Sequence, residues 1–205
     1  MSNSADLRVR PPGFELFSAP LRVAFDPNTF ERVEFAYIAA KFGHYGQKRR
    51  DGRRYFDHPK EAAWIYIDEL GGRDPEVIID ILLHDLPEDS YLLSIYRIKL
   101  NFGIDRALDA QALKKLPKGK ESTVQYLGRI VIRGPRTILA KLCDRCSNLR
   151  DMKSSSKNDR QRQLVETEEY HLPILIPALR EHGGEWAQYA DLMEQKIKDA
   201  LNSLR

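Results

Sequence analysis

A helical period runs through this chain from Phe30 to its last residues, and it limits the fold more than any other feature. In FERVEFAYIAAKFG (30–43), Phe30, Val33, Phe35, Ala36, Ile38, Ala39 and Phe42 form one broad apolar stripe. The pattern renews itself in EAAWIYIDEL, which stops at Gly71-Gly72, and in PEVIIDILLHDL, whose leading proline suits a first helical turn. SIYRIKLNFG, IDRALDAQALKKL, STVQYLGRIVIRG and PRTILAKLCDRCSNLRDM follow at helical length; two more segments fill 160–205, interrupted by Pro173, Pro177 and Gly183-Gly184. No alternation of period two persists and no repeat appears. The expected fold class is all-α, a compact single domain. Residues 1–27 carry three prolines before Asp26-Pro27 and little periodicity, so they are expected as an extended N-terminal arm, with the domain over 28–205.

A chain of 205 residues, 42% of them hydrophobic, is long enough for one sizeable core. Two cysteines are too few for a disulfide framework, and no apolar export segment follows the Met-Ser-Asn-Ser start. No apolar run approaches the roughly 20 residues that cross a bilayer. A cytoplasmic protein without a membrane partner is expected. The net charge of +3, from 33 basic and 30 acidic residues, gives no reason to expect sequence-specific nucleic-acid binding. Its distribution is more informative. Lys48, Arg49, Arg50, Arg53 and Arg54 crowd one glycine-containing stretch, and Lys114, Lys115, Lys118 and Lys120 crowd another. Each is either a solvated loop or a site for a phosphate-rich anion.

The stretch LLHDLPEDS (82–90) ends an apolar run with His84-Asp85 and sets a second acidic pair, Glu88-Asp89, one helical turn later. Adjacent residues on a helix diverge by about 100°, so His84 and Asp85 grip one cation only near a helix end or with help from other segments. Two stretches offer that help: YFDHPK, with His58 before a proline, and KLCDRCSNLRD, with Asp144 inside an apolar run. Two histidines and two aspartates form a mixed nitrogen and oxygen set. That set suits Mn²⁺ or a similar octahedral ion better than a thiolate-loving zinc site. Each residue alone has a plainer reading, as a cap, a surface residue or half of a salt bridge.

In order, HYGQKRRDGRRYFDHP, LLHDLPEDS and KLCDRCSNLRD resemble the HD-type hydrolase domain of the RelA/SpoT homologue family, in particular the small alarmone hydrolases built of this domain alone. The resemblance spans roughly residues 30–200 and includes Phe102-Gly103. It implies a helical HD-type fold with Mn²⁺ held by His58, His84, Asp85 and Asp144. Glu88 and Asp89 act on the water and the leaving group, Arg49 contacts the base, and Asn148 completes the last motif. His44 and Gln47 match the first motif as supporting residues. Arg50, Lys114, Lys115 and Lys118 are added as substrate contacts because the implied ligand is highly anionic.

The implied reaction is hydrolysis of the 3′-pyrophosphate of ppGpp or pppGpp, giving GDP or GTP and pyrophosphate. The partner is then a small molecule, guanosine tetra- or pentaphosphate; homo-oligomerisation stays open. With the chain ending at residue 205, degradation without synthesis is expected. Adenine alarmones, the 2′-phosphate of NADPH and pyrophosphorylated tRNA ends are rival substrates, and a silent nucleotide-binding module is the rival to catalysis. Two departures from the family pattern stand out. Leu86-Pro87 separates the two acidic pairs, and proline is expected to end or kink the helix there. Cys143 and Cys146 spell C-x-x-C, yet without a second pair in an apolar helix they read as packing residues.

Overall fold

A computed structural model describes residues 13–49, 51–89, 93–152 and 155–205, the Asp89 side chain excepted. Among the described residues the chain is all-α, and its only extended pairing is an isolated antiparallel bridge between Lys48 and Arg54. Helices α1 (Phe14–Ala24), α2 (Pro27–Gly43) and α3 (Asp57–Trp64) come first, and a π-helical turn, Ile65–Glu69, prolongs the third. Next are α4 (Pro75–Leu83), the single turn α5 (Leu86–Asp89), α6 (Ile95–Phe102) and α7 (Ile104–Leu113). The chain closes with α8 (Thr123–Arg133), α9 (Pro135–Asp151), α10 (Lys157–Glu166), a second π-helical turn at Thr167–His171, α11 (Leu172–Glu181) and α12 (Gly184–Asn202).

Two helices form the centre. In α4, Asp74 caps the first turn by accepting the Glu76 N–H at 2.9 Å, Pro75 follows at the first helical position, and Val77 through Leu83 are all buried. In α9, Pro135 again opens the helix, after Gly134, whose φ of 105° only glycine adopts without strain. Ile138, Leu139, Leu142, Cys143, Cys146 and Leu149 of α9 are buried in the same core as α4. Both cysteines are free thiols there, as packing residues should be.

The expected extended arm differs over Phe14–Ala24, which form α1. Pro20 gives up one backbone bond inside this helix. The aromatic contacts of Phe14 and Phe17 with Tyr37, at 4.9 and 5.0 Å between centroids, offset that loss. Residues 1–12 of the arm lie outside the described residues.

No described helix is long and apolar enough to cross a membrane.

Candidate metal centre and cavity

Pro87 does break the helix. Helix α4 ends at Leu83, His84 and Asp85 occupy a turn, and the chain resumes as α5 with Leu86 buried. The break places His84 and Asp85 at a helix end, where adjacent side chains are free to converge. His58 arrives from the first turn of α3 and Asp144 from the middle of α9. His58, His84 and Asp144 each bring one ligand atom within 4.8 Å of the others, and all three are buried. Asp85 joins them, with Oδ1 3.0 Å from His84 Nε2 and Oδ2 3.7 Å from His58 Nε2. The structure therefore brings together the four residues expected as metal ligands.

The surroundings fit a cation. His84 Nδ1 lies 2.6 Å from the Ile81 carbonyl, which can only accept, so Nδ1 carries a proton and Nε2 is the ring nitrogen turned to the carboxylates. Buried Nε2 makes no hydrogen bond, although Asp85 Oδ1 and Asp144 Oδ1 stand 3.0 and 3.4 Å away. His58 is oriented alike, with Nδ1 3.0 Å from Ser147 Oγ and Nε2 3.0 Å from Asp144 Oδ1. Burial disfavours a charged imidazole, yet Asp85 and Asp144 raise the His84 pKa well above its ordinary value. For His58 burial wins and the pKa falls. Burial also opposes the Asp144 carboxylate, but Lys141 and the two imidazoles hold its pKa well below normal. Two carboxylates thus gather positive charge onto one imidazole, an arrangement that suits a divalent ion.

This cluster forms the floor of a cavity of about 610 Å³. At one end stands Arg49, which donates to Asn148 Oδ1 at 3.0 Å, lies 3.4 Å from Asp151 and sits 5.8 Å from the Tyr55 ring. Asn148 in turn donates to Asp144 Oδ1 at 2.6 Å, and the Tyr55 hydroxyl donates to Asp85 at 3.1 Å. His44 stacks on Tyr55 at 4.6 Å and pairs with Gln47 at 2.8 Å, so both lie behind the Tyr55 ring that lines the cavity. At the other end are Lys115, Tyr126 and buried Lys141, whose ammonium donates to Asp144 Oδ2 at 2.5 Å. A separate depression of about 580 Å³, lined by Thr123, Gln161 and Tyr170 among others, contains none of the expected ligands.

The remaining expected residues divide. Glu88 is exposed at the cavity wall and accepts the Lys115 N–H. Asp89 ends α5, and its side chain, like all of Arg50, lies outside the described residues. Of the three lysines expected to meet substrate, Lys115 lines the cavity; half-buried Lys114 and exposed Lys118 do not. The lysine-rich turn is tied down by its backbone, with Arg129 donating to the Lys114 carbonyl and Glu121 accepting the Leu116 N–H. Lys141 and Asp151 were not foreseen. They share a helix stripe with Asp144 and Asn148, and extending that stripe in both directions finds them. His171 is fully buried against Arg145 at 2.7 Å, its pKa pushed down to about 2 by burial, and exposed His182 caps α11.

No family model matches the chain. Individual proteins do. A GTP pyrophosphokinase of Streptomyces coelicolor is 30% identical over 155 residues, covering 73% of this chain and 18% of the relative. A guanosine-3′,5′-bis(diphosphate) 3′-pyrophosphohydrolase of Aquifex aeolicus is 35% identical over 153 residues, 72% and 22% of the two chains. The bifunctional (p)ppGpp synthase/hydrolase SpoT of Escherichia coli is 28% identical over 169 residues, 78% and 24%. The chain thus spans between 18% and 24% of the length of these relatives. A solved structure described as a metazoan ortholog of SpoT that hydrolyzes ppGpp superposes with a TM-score of 0.67, covering 84% of this chain and 94% of that one. At 20% identity that likeness establishes a shared fold.

Proposed function

The chain belongs to the RelA/SpoT homologue family, and from that premise we propose that it is a Mn²⁺-dependent hydrolase removing the 3′-pyrophosphate of ppGpp or pppGpp. The relatives' names include both synthesis and hydrolysis, so the reading rests on the site. One observation carries it: His58, His84, Asp85 and Asp144 converge at the floor of a cavity whose walls bear Arg49 and Lys115. When bound there, a divalent ion supplies Lewis acidity, which eases deprotonation of water near neutral pH and screens phosphoryl charge.

The chain's own residues supply the rest. The Ile81 carbonyl keeps the His84 proton on Nδ1, and Ser147 anchors His58 at its Nδ1, so both Nε2 atoms face the centre. Arg49, braced by Asn148 and Asp151, offers its guanidinium to the base or its phosphates. Water adds to the phosphorus bearing the ribose 3′-oxygen, the P–O3′ bond breaks, and GDP or GTP leaves with pyrophosphate. Glu88 and Asp89 are assigned to position that water and to carry its proton to O3′. The substrate is a cytoplasmic small molecule, and no sequence-specific nucleic-acid contact is part of the scheme.

The test is a panel of ppGpp, ppApp and NADPH, each incubated with the chain and Mn²⁺ before the products are separated. GDP and pyrophosphate in equal amounts are expected from ppGpp, faster than release from either rival. No release from ppGpp, or release that survives exhaustive chelation, overturns the proposal.

A further inference from the structure

We propose that the chain pairs with a second copy of itself through α2, the two helices lying antiparallel across a two-fold axis at Ile38. The basis is an apolar stripe on the outer side of that helix. Phe30, Val33, Ala36, Tyr37 and Ala40 of α2 are buried in the core of their own chain. Phe35, Ile38 and Phe42 are instead 45, 42 and 63% exposed, and their spacing of three and four puts them on one stripe. The solvent-facing stripe of a helix is ordinarily polar, and large apolar side chains gathered in one exposed place mark an interaction surface. The stripe is also set in advance for contact. The Phe35 ring stacks on that of buried Phe102 at 5.2 Å, so little of its freedom is left to lose on association.

Charge decides what covers the stripe. Glu34 and Lys41 stand two helical turns apart and so share one flank of it. In an antiparallel pair with two-fold symmetry, like flanks face each other, and residues equally far from the axis on its two sides meet. At 1.5 Å of rise per residue, Glu34 lies about 6 Å along the helix on one side of Ile38, and Lys41 about 4.5 Å on the other. Glu34 of each copy therefore meets Lys41 of the other. Phe35 and Phe42 meet in the same way, at about 4.5 and 6 Å from the axis, with Ile38 against Ile38 between them. One surface thus supplies both halves of two ion pairs and of an apolar centre, the self-complementarity that a two-fold contact requires. A parallel pair would turn the charged flank toward that of Ala39, which is buried in its own chain and carries no charge. Arg22, the partner of Glu34 within the chain, is 4.0 Å away with both side chains partly solvated, a pairing that gives way at small cost. With one helix from each copy the contact falls at the small end of specific interfaces, below roughly 1,200 Å² in total, so micromolar dissociation constants are expected.

The experiment is sedimentation velocity of the full chain from about 1 to 500 µM, a range that brackets such constants. The average mass is expected to rise with concentration from the 23.7 kDa of one chain toward twice that value. Glu34→Lys and Lys41→Glu each set two like-charge pairs against one another and are expected to weaken association roughly tenfold. The double variant reverses both pairs and is expected to restore it. An equimolar mixture of the two single variants should associate more tightly than either alone. Ile38→Asp places a charge on the axis and should hold the chain at 23.7 kDa; should that variant fail to fold, the surface charge variants decide the matter. A mass of 23.7 kDa at every concentration overturns the pairing and leaves the stripe to a different protein. A dimer indifferent to the charge variants, or a double variant no tighter than the single ones, overturns it as well.

Discussion

Helix α4 carries a buried charge at two places, and the two have different fates. Near its middle, Asp80 accepts from Arg106 at 2.9 Å, and Arg106 also donates to Asp109 at 2.7 Å. Arg133 and Thr137 complete Asp109 at 2.6 and 3.1 Å, while Glu76 pairs with Arg32. Three carboxylates meet three guanidinium groups. At the C-terminal end of α4, His84 and Asp85 meet His58 and Asp144, where two carboxylates face one ammonium, that of Lys141, and two imidazoles. The first group is closed: it pairs each carboxylate with a guanidinium and lines neither cavity, which is the pattern of a structural network. The second opens on a cavity and sets two imidazole nitrogens beside two carboxylates, a donor set that suits a divalent cation. Burial alone distinguishes neither; donor chemistry and access to a cavity do.

The largest expected effect probes the open group. Asp144→Asn should reduce ppGpp turnover by more than the roughly 10–100-fold typical of residues outside the ligand shell, since on the proposed reading it removes a ligand itself. Product analysis at fixed Mn²⁺ measures it; near-normal turnover would place Asp144 with the structural group. Next come Glu88→Gln and Asp89→Asn. Both should leave Mn²⁺ bound and slow the chemical step by roughly 10²–10⁴-fold, the reach of a positioned acid or base. Single-turnover kinetics read the step, and loss of metal in either variant would make these acids ligands.

Arg106→Met tests the closed group. Removing the shared partner of buried Asp80 and Asp109 should lower stability by about 3–5 kcal/mol in urea denaturation, with Mn²⁺ affinity unchanged. A variant of normal stability, or one that loses the metal, would erase the distinction between the groups. The smallest effect is a pH dependence. Burial opposes the His84 imidazolium, but Asp85 and Asp144 raise its pKa well above normal in the metal-free chain. Below that pKa a proton competes for Nε2, so Mn²⁺ affinity should fall by roughly tenfold per pH unit and recover as pH rises through it. Calorimetry in buffers of different ionisation enthalpy should detect the released proton; metal binding indifferent to pH would mean that His84 is not a ligand.

Much of this was legible in the residues, and what was not has physical reasons. The helical period marked α2, α4 and α6 to α9, because these helices bury apolar faces whose spacing is written in the chain. The convergence of His58, His84, Asp85 and Asp144 was readable because they sit in short local motifs. The closed group left no such trace: Asp80, Arg106 and Asp109 become partners only through the packing of α4 on α7. Helix α1 was hidden by Pro20, whose penalty is outweighed by aromatic contacts distant in sequence. Lys114 and Lys118 resembled ligands by charge, but the tied backbone of their turn keeps both out of the cavity lining. Lys141 and Asp151 lay in view on the stripe of Asp144, yet a lysine and an aspartate on a helix ordinarily read as solvated.

The most direct measurement is a Mn²⁺ titration followed by electron paramagnetic resonance, in which bound ion loses the six-line signal of free Mn²⁺. The chain and its Asp80→Asn variant are expected to take up one equivalent each, and Asp144→Asn to leave the ion free under the same conditions. Uptake by Asp144→Asn equal to that of the unsubstituted chain, or no uptake by the unsubstituted chain, would contradict the assignment of the open group as a metal centre.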